Sequence, residues 1–336
     1  MEKILLTGGA GYIGSHAALA LHKTGFQPVV LDNLVHGHKE AAKYGPLIEG
    51  DMGDADLVAR VCAEYKPAAA MHFAAFIEVA ESVAQPEKYW ENNFRKASRF
   101  FDAIAASGVK ACVFSSTAAV YGTPTSDKPI KENHPLKPIN PYGETKLAAE
   151  NYLRTLESKG LRSVALRYFN AAGAAPEEEG IGEAHNPETH LIPNIVLAGL
   201  GLKPEIKIFG TDYPTPDGTA LRDYVHVLDL AAAHSAALQH LLGGGVTAIC
   251  NLGTGTGSSV AEVVAAVEKA LGRAVPQSRH PRRAGDPPRL VADATWAKEI
   301  LCWKPERTLD DIVASALKWH QSEVYRKETV CSGDSK

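Results

Sequence analysis

The first half of the chain alternates short apolar runs with longer segments of helical periodicity. The apolar runs predict strands at Lys3–Thr7, Pro28–Leu31, Ala68–Phe73, Lys110–Ser115 and Ser163–Leu166. The longer segments predict helices at Ile13–Thr24, Asp54–Glu64, Glu87–Ala106 and Tyr142–Ser158. Short strands separated by helices are joined by right-handed crossovers, which give a parallel sheet with helices on both faces. We therefore expect an α/β protein built on a doubly wound parallel sheet.

The pattern changes after Asn170. Residues 173–187 are rich in Gly, Pro and Glu and are expected to form an exposed loop. Beyond it, proline-rich stretches at 213–217 and 280–288 alternate with helices predicted at Val227–Leu241 and Ser258–Leu271 and a strand at Ala248–Asn251.

Three regions follow from these patterns. We expect residues 1–170 to form a nucleotide-binding domain of Rossmann type. Residues 171–321 should form a smaller, mixed α/β part that closes a cleft, with some segments returning to the first domain. Residues 322–336 lack apolar periodicity and are expected to be a flexible tail.

Composition and charge exclude several classes of protein. The chain has 336 residues, 45% of them hydrophobic, and a net charge of −4, with Lys and Arg dispersed. Neither nucleic acid nor an anionic membrane is therefore an expected partner. The sequence shows no leader pattern and no apolar run of membrane-spanning length, so we expect a cytoplasmic protein. The five cysteines include no C-x-x-C pair, which favours reduced thiols over a disulfide or metal framework.

A glycine-rich turn follows the first predicted strand, with the sequence Thr7-Gly8-Gly9-Ala10-Gly11-Tyr12-Ile13-Gly14. Gly8, Gly11 and Gly14 are spaced three residues apart, a variant of the commoner G-x-G-x-x-G spacing of dinucleotide-binding turns. Such a turn lets backbone amides approach a pyrophosphate, and the following helix N-terminus adds a favourable field. Glycines are equally common in plain turns, so the motif needs its context.

Two acids downstream supply part of that context. The second predicted strand ends at Leu31-Asp32-Asn33, where an acidic side chain accepts from the ribose hydroxyls of adenosine. A carboxylate at Asp32 would also repel the additional phosphate of NADP, so the turn and this acid together favour NAD. Asp51 is either an adenine contact or a solvated loop acid.

The segment Tyr142-Gly143-Glu144-Thr145-Lys146 places a tyrosine and a lysine on one face of a helix that begins at Pro141. A free tyrosine titrates near pH ~10, so a phenolate at neutral pH needs about 4 kcal/mol of preferential stabilisation. A nearby lysine and an oxidised nicotinamide would supply the positive charge. Thr117 ends a predicted strand, and its hydroxyl either shares the substrate proton with Tyr142 or caps local backbone.

Five segments together resemble the extended short-chain dehydrogenase/reductase superfamily. They are Thr7–Gly14, Ser115–Gly122, Tyr142–Lys146, Arg167–Asn170 and Leu221–His226. Within that superfamily the chain is similar to the UDP-glucose 4-epimerase family from Lys3 to about Trp319. The resemblance implies an NAD-dependent isomerase that reversibly epimerises a UDP-hexose (UDP-glucose or UDP-galactose) through a transient 4-keto sugar, with NAD held permanently.

The same resemblance implies roles for the central residues. Tyr142 takes the proton of the sugar 4-hydroxyl while C4 gives hydride to the nicotinamide, Lys146 tunes Tyr142, and Thr117 bonds to O4. Related 4,6-dehydratases carry Asp-Glu after the threonine, whereas this chain has Ala118-Ala119. Two methyl groups provide neither the acid nor the base of an elimination, so the reaction should stop at reversible oxidation.

Contact residues are also implied by the resemblance. For NAD they are Gly8, Gly11, Tyr12, Ile13, Gly14, Asp32, Asn33, Asp51, Met52, Phe73, Ala74, Ala75, Asn92, Ser115, Tyr142, Lys146 and Phe169. For the UDP-sugar they are Thr117, Tyr142, Asn170, His190, Leu191, Ile208, Phe209, Arg222, Arg283, Asp286 and Leu290. The two arginines can pair with phosphates, and Asp286 can accept from ribose hydroxyls. No metal is expected.

Three positions depart from the best-known members of the family. Ile77 stands where many have a lysine near the cofactor ribose, and His190 stands where an asparagine often contacts the substrate. His190 is either a substrate contact or a structural hydrogen bonder. Leu290 matches a position whose bulk limits the substituent at C2 of the sugar, and a leucine is smaller than the tyrosine that excludes N-acetyl groups. We therefore expect that N-acetylated UDP-sugars or a UDP-pentose are also accepted.

Alternative functions remain at this point. A 4-epimerase of UDP-N-acetylhexosamine, UDP-xylose/arabinose or UDP-glucuronate would share the same three central residues. A dinucleotide-binding sensor without chemistry would typically lack Tyr142 and Lys146 together. By resemblance, helices at Glu87–Ala106 and Tyr142–Ser158 form a homodimer interface, although their apolar faces could instead cover the sheet.

Overall fold

The structure, a computed structural model, describes residues 1–283 and 286–331. Its main element is a seven-stranded sheet in which all neighbouring strands run parallel. The strands are β1 (Lys3–Thr7), β2 (Gln27–Asp32), β3 (Leu47–Glu49), β4 (Ala69–His72), β5 (Ala111–Thr117), β6 (Arg162–Tyr168) and β11 (Ala248–Leu252). The expected doubly wound parallel sheet is confirmed.

Helices follow most of these strands. The first half contains α1 (Tyr12–Lys23), α2 (Ala55–Tyr65), α3 (Val79–Ala84), α4 (Pro86–Tyr89), α5 (Ala97–Ala106) and α6 (Pro141–Thr155). A π-helical segment, Trp90–Lys96, joins α4 to α5, so the helix expected at Glu87–Ala106 is continuous but widened in its middle. None of the described helices is long and apolar enough to cross a membrane.

Alternating side chains of the strands build two cores, one on each face of the sheet. Ile4, Leu6 and Met71 pack with α1 and with helix α8 (Val227–Leu242). Leu5 and Phe114 point to the opposite face and pack against α2, α5 and α6. A strand buried on both faces needs an uninterrupted apolar run, and the short apolar runs in the first half of the sequence predict such strands.

The strand order, β11-β6-β5-β4-β1-β2-β3, places β1 between β2 and β4, next to the central strand β4. The chain runs outward in both directions from this point, so the loops after β1 and β4 diverge and leave a crevice at their carboxyl ends. Thr7 and His72 end these two strands, and the threonine Oγ1 lies 2.6 Å from the histidine Nδ1. Ligands of doubly wound folds bind in such a crevice.

The second half of the chain forms three small sheets and contributes to the large one. Its further strands are β7 (Asn170–Ala172), β8 (Ile206–Phe209), β9 (Leu221–Arg222), β10 (Tyr224–His226), β12 (Ser258–Ser259), β13 (Gln277–His280) and β14 (Arg289–Leu290). Its further helices are α7 (Leu191–Gly199), α9 (Val260–Leu271), α10 (Thr295–Leu301), α11 (Leu309–Gln321) and α12 (Glu323–Cys331). Strand β11 pairs with β6, and α8 packs on α1.

Asp223 connects the loops of this second half. It is fully buried, and its carboxylate accepts hydrogen bonds from the Thr254 amide (2.7 Å) and hydroxyl (2.6 Å) and from the amides of Gly255 and Ala292 (each 3.1 Å). Because a buried carboxylate requires such donors, one side chain holds the β9–β10, β11–β12 and β14 segments together.

The loop expected to be exposed at residues 173–187 is exposed at only five of its fifteen positions, so that expectation is wrong. Ala174, Ala175, Ile181 and Ala184 are buried, and only the stretches 176–178 and 186–187 are exposed. The segment passes against α1, where the Ala175 amide donates to Nε2 of the buried His16 at 3.1 Å. Its composition is typical of a surface loop, but long-range contacts override composition.

The expectation of a flexible tail also needs correction over its first part. Residues 323–331 form helix α12, in which Tyr325 is buried against the rings of Trp319 and His320. One aromatic side chain without periodic neighbours gives no helical signal in the sequence. Residues 332–336 lie outside the described part of the chain.

A buried ion pair fastens helix α6 to the sheet. Arg167 of β6 donates to both carboxylate oxygens of Glu150 on α6, at 2.9 and 2.6 Å. The two side chains are 1% and 2% exposed, and the Ser116 hydroxyl of β5 also donates to Glu150. Arg167 further donates to the hydroxyl of Tyr121 at 3.0 Å.

We expect Arg167→Met to lower the free energy of unfolding by about 3–5 kcal/mol, because it leaves the Glu150 carboxylate buried without its partner. Urea unfolding followed by circular dichroism measures the effect. Replacing both charges, Arg167→Met with Glu150→Leu, should cost less than the single change, since no unpaired charge remains.

A surface pair provides the control. Lys269 and Asp310 lie 2.8 Å apart with side chains 74% and 64% exposed, so Lys269→Met should leave the unfolding midpoint nearly unchanged. If the Arg167 and Lys269 substitutions lowered the free energy of unfolding equally, the buried pair would contribute no more to stability than the surface pair.

Candidate active site

The glycine turn after β1 has the geometry of a dinucleotide cradle. Gly8 has φ of +73°, and a Cβ there would lie 2.5 Å from the Ala74 backbone nitrogen. A Cβ on Gly14 would lie 2.1 Å from the Gly8 carbonyl oxygen, so α1 packs directly on the turn. At Gly11 the only atom a Cβ would meet is that same oxygen, at 3.4 Å, which leaves open space before the α1 amides. Amides at a helix N-terminus bind phosphate groups, so this end of α1 suits a pyrophosphate.

Tyr12 and Ile13 begin α1 beside this space. The Tyr12 hydroxyl donates to the Gly173 carbonyl at 2.6 Å, which fastens the turn to the second half of the chain. Burial raises the pKa of Tyr12, so its hydroxyl remains a donor.

Asp32 ends β2 close to the turn, as the sequence predicts. Its carboxylate accepts from the amides of Ala10 and Leu34, both at 2.9 Å, with one oxygen used for each. Burial raises the pKa of Asp32, while these hydrogen bonds lower it. Each oxygen retains acceptor capacity, which ribose hydroxyls could use. Asn33 is exposed and accepts from the Val35 amide at 3.2 Å.

Asp51 is paired within the protein. One carboxylate oxygen lies 2.5 Å from Nζ of Lys96, and the other accepts from the Gly53 amide at 2.8 Å. Met52 is buried in the core between the sheet and α2. The sequence contains no local signal for the Asp51–Lys96 pair, whose members are far apart in the chain.

The loop after β4 forms the other wall of the crevice. The amides of Phe73 and Ala74 both donate to the Thr7 carbonyl, at 2.9 and 3.1 Å, which places this loop beside the glycine turn. Ala75 and Ile77 follow, both half-buried.

The π-helical segment holds this loop in place. Asn93 accepts from the Phe76 amide and donates to the Phe76 carbonyl, both at 2.8 Å. The predicted contact Asn92 donates to the Asn93 side chain at 3.0 Å. Asn93, which is 2% exposed, was missed in the sequence, although two adjacent asparagines in a helix are a recognisable anomaly.

Helix α6 carries the predicted tyrosine and lysine into the crevice. Asn140 caps it by accepting from the Gly143 amide at 2.9 Å, and Pro141 occupies its first turn. Nζ of Lys146 is buried and donates to the Ser115 carbonyl of β5 at 2.8 Å. The Thr117 side chain hydrogen-bonds to Tyr142 and also accepts from the Ala119 amide at 3.1 Å, so it caps local backbone, while its sharing of a substrate proton stays a prediction.

The protein environment alone opposes both charged forms. Burial raises the pKa of Tyr142, and the hydrogen bond from Thr117 offsets only part of this change. Burial lowers the pKa of Lys146 to about 7, although the Glu150 carboxylate one turn later acts in the opposite direction. A phenolate at Tyr142 therefore requires additional positive charge in the crevice.

A small apolar cluster lies next to these groups. Ala118, Val120, Tyr121 and Ile130 are buried, and Phe169 and Leu290 pack against them. Ser115, another predicted contact, has its hydroxyl 2.5 Å from that of Tyr168. The structure thus brings Leu290 and Phe169 to one wall, at the same end of the sheet as Tyr142.

A second group of predicted residues comes together in the second half of the chain. Arg222 lies 2.5 Å from a carboxylate oxygen of Asp286, and the Arg283 guanidinium stacks over the Phe209 ring at 4.2 Å. Ile208 is buried in the core of the second half. Between Arg283 and Asp286, Ala284 and Gly285 lie outside the described residues.

A similar contact between an arginine and an aromatic ring lies beside this group and was not predicted from the sequence. The Arg282 guanidinium lies 4.3 Å from the centre of the Tyr213 ring, and the Tyr213 hydroxyl donates to Asp286 at 3.4 Å.

Three further predicted residues lie near the first turn of α7 and on β7. Leu191 is the first residue of α7, and His190 occupies the position before it. Burial alone would lower the pKa of His190, but its hydrogen bond with Glu188 and the Glu183 charge raise it to about 9. Asn170 on β7 donates through its side chain to the Asp223 carbonyl at 3.0 Å.

Comparison with known proteins agrees with this geometry. Residues 4–253 match the model of the NAD dependent epimerase/dehydratase family. A UDP-glucose 4-epimerase of Rhizobium leguminosarum bv. trifolii is 49% identical over 320 residues, which cover 95% of this chain and 97% of the relative.

Solved structures give the same result. UDP-glucose 4-epimerase of Brucella ovis, in complex with NAD, superposes with a TM-score of 0.92 at 45% identity, covering 95% of this chain and 98% of the other. The enzyme of Stenotrophomonas maltophila, with bound NAD and formylated UDP-arabinopyranose, has a TM-score of 0.92 at 37% identity and covers 98% and 100%. The chain therefore belongs to the NAD dependent epimerase/dehydratase family.

Proposed function

We propose that the protein is an enzyme that catalyses the reversible, NAD-dependent 4-epimerisation of a UDP-hexose, interconverting UDP-glucose and UDP-galactose. The observation that carries this proposal is the group Thr117, Tyr142 and Lys146 at the carboxyl end of β5, which only β4 separates from β1 and its glycine turn. The similarity to UDP-glucose 4-epimerases over 95% of the chain supports it.

NAD is the cofactor, held by the residues around the crevice. The open space at Gly11 suits its pyrophosphate, and the carboxylate of Asp32 suits a ribose diol and disfavours a 2′-phosphate. When bound, the nicotinamide supplies reversible hydride exchange with C4 of the sugar. The predicted contacts at Phe73, Ala74, Ser115 and Phe169 are proposed to line the remainder of the crevice.

Tyr142 is the proposed acid–base. It receives the proton of the sugar 4-hydroxyl and later returns it, while Thr117 shares the hydrogen bond to that oxygen. Because burial raises the pKa of Tyr142, the positive charge of Lys146 and of the oxidised cofactor must together lower it. Glu150 helps to keep Lys146 protonated, since its carboxylate raises the pKa of the lysine.

The neighbouring residues limit the reaction to epimerisation. The two residues after Thr117 are alanines, which carry no acidic side chain. Ala118 is buried, and the Ala119 amide donates to the Thr117 hydroxyl. Elimination at C6 would need an acid and a base there.

The nucleotide half of the substrate is assigned to the second half of the chain. Arg222 and Arg283 are proposed to bind the diphosphate, and Asp286 the uridine ribose. Arg222 and Asp286 already form a pair, so each is held in place before substrate arrives.

We expect purified protein, given UDP-galactose without added cofactor, to produce UDP-glucose in an NMR assay. Tyr142→Phe should lower the rate by at least about 10²–10⁴-fold, because the variant loses the group that carries the proton. Tyr152→Phe is the matched control on the same helix, since its hydroxyl bonds to Asp102 outside the crevice. Full activity of Tyr142→Phe would contradict the proposed role, and no conversion by the wild type, even with NAD added, would contradict the proposed substrate.

Sugar size is proposed to depend on Leu290. We expect the wild type also to convert UDP-N-acetylglucosamine, and Leu290→Tyr to lose this activity by about tenfold or more while it retains UDP-galactose conversion. The physical reason is that the larger ring fills space beside Phe169 and Ala118. If the wild type converts UDP-galactose but shows no turnover of the N-acetylated sugar, the room at Leu290 does not set substrate choice.

A homodimer is proposed through the helices α5 and α6 and the π-helical segment. Trp90, Phe94 and Tyr152 are half-buried there, and their rings meet edge-to-face at 5.7 and 6.3 Å. Partly exposed aromatic rings on two adjacent helices are typical of an interface between copies.

Light scattering after gel filtration should therefore give twice the chain mass of 35.9 kDa for the wild type and a lower mass for Trp90→Glu. Trp296→Glu, which replaces a 44% exposed tryptophan on α10, should leave the mass unchanged. A wild-type mass of a single chain would refute the dimer.

A further inference from the structure

A compact group of potential metal ligands lies outside the acid–base site, in the segment between β7 and α7. Glu183, His185 and His190 each offer one ligand atom, and these three atoms lie within 4.8 Å of one another. Glu183 is 4% exposed, and the two histidines are half-buried. Such a carboxylate is unlike the solvated acidic groups of a protein surface, because it has been withdrawn from water together with its neighbours.

The chemistry of the donors selects a class of metal. Two imidazole nitrogens and one carboxylate oxygen form the ligand set of many zinc sites, whereas Mg²⁺ and Ca²⁺ prefer oxygen ligands alone. We propose that Glu183, His185 and His190 form a three-ligand site for a divalent transition-metal ion of the zinc type.

The groups behind the ligands fix their orientation. Glu188, whose side chain is 5% exposed, lies 2.9 Å from Nδ1 of His190, so Nε2 is left to coordinate. A carboxylate on the outer nitrogen is the usual support of a metal-binding histidine. The Glu183 carbonyl accepts from Nε1 of Trp319 at 2.6 Å, which anchors the backbone of that ligand.

The packing beneath the site is equally tight. A Cβ at Gly182 would lie 2.4 Å from the Trp319 ring, so the residue before Glu183 has no room to shift. Preorganised ligands lower the cost of assembling a metal site.

The site lies close to the glycine turn. Glu183 and His185 line a small cavity together with Gly11, Tyr12 and His36. Three protein ligands leave one position of a tetrahedral ion open toward this cavity, as in sites that retain water or bind a further ligand. The ion would fasten the segment that begins at β7 and ends at α7.

An arrangement without metal would use the same side chains as ion pairs. The Glu183 carboxylate bonds to Nδ1 of His185, and Glu188 bonds to His190, so two carboxylates face two imidazoles. Protonated histidines would balance these charges without an ion. The two arrangements differ in a measurable way, because only one of them binds zinc stoichiometrically.

The test uses the holoenzyme with its NAD, treated with a chelator and exchanged into metal-free buffer. Titration calorimetry with ZnCl₂ should show one zinc ion per chain, and MgCl₂ at the same concentrations should show none. His185→Ala and Glu183→Gln should each abolish that binding. Glu188→Gln should weaken it by about 10–100-fold, the usual effect of losing an outer partner. The double variant His22→Ala/His240→Ala removes two histidines elsewhere and should bind zinc like the wild type.

Cobalt(II) gives a second measurement that needs no variant. Added to the wild type in place of zinc, it should develop the intense visible absorption of a tetrahedral site with nitrogen and oxygen ligands. Absence of stoichiometric zinc binding, or zinc binding that persists unchanged in His185→Ala, for instance on the cofactor phosphates, would overturn the proposal. Either result would leave epimerisation, which is measured separately with UDP-galactose, unaffected.

Discussion

The buried pair between Arg167 and Glu150 is the constraint on which the reactive end of the molecule depends. Glu150 lies one turn after Lys146 and two turns after Tyr142, so fixing this carboxylate fixes the face of α6 that enters the crevice. Arg167 extends the connection through the Tyr121 hydroxyl, which donates to Asn251 of β11 at 2.6 Å. Three neighbouring strands, β5, β6 and β11, are thereby linked to one helix. Burying a charge without a partner costs free energy, so alternative packings that separate Arg167 from Glu150 are disfavoured.

The same burial determines the electrostatics of the acid–base site. Removal from water raises the pKa of Tyr142 and lowers that of Lys146, so burial shifts each group toward its neutral form. A pocket of this kind becomes competent only when further positive charge enters it. An oxidised cofactor bound there would supply that charge, and proton transfer at Tyr142 would then depend on the redox state of the site. The burial of Tyr142 and Lys146 thus both excludes water and sets the pKa of the proposed proton carrier.

Local patterns predicted much of the fold and part of the site. Strands β1, β2, β4, β5 and β6 were predictable because both of their faces are buried, and Tyr142 and Lys146 because residues four apart share a helix face. Contacts between distant segments could not be predicted in this way. The ion pair between Asp51 and Lys96 joins residues that are far apart in the chain, so no local pattern predicts it. Composition likewise predicts neither the partial burial of residues 173–187 nor the packing of Tyr325 on Trp319. The assignment of ligand contacts from the resemblance stays a prediction.

The segment 173–190, which looked like a plain loop in the sequence, connects the two halves of the cleft. Its first residues contact the glycine turn, through the Tyr12 hydroxyl on Gly173 and the Ala175 amide on His16. Ala184 then accepts from Nε2 of His38 at 3.2 Å, beside β2. Its last residue, His190, precedes α7, which belongs to the core of the second half. Any movement of α7 would therefore act on the turn proposed to hold the pyrophosphate, because one short segment contacts both.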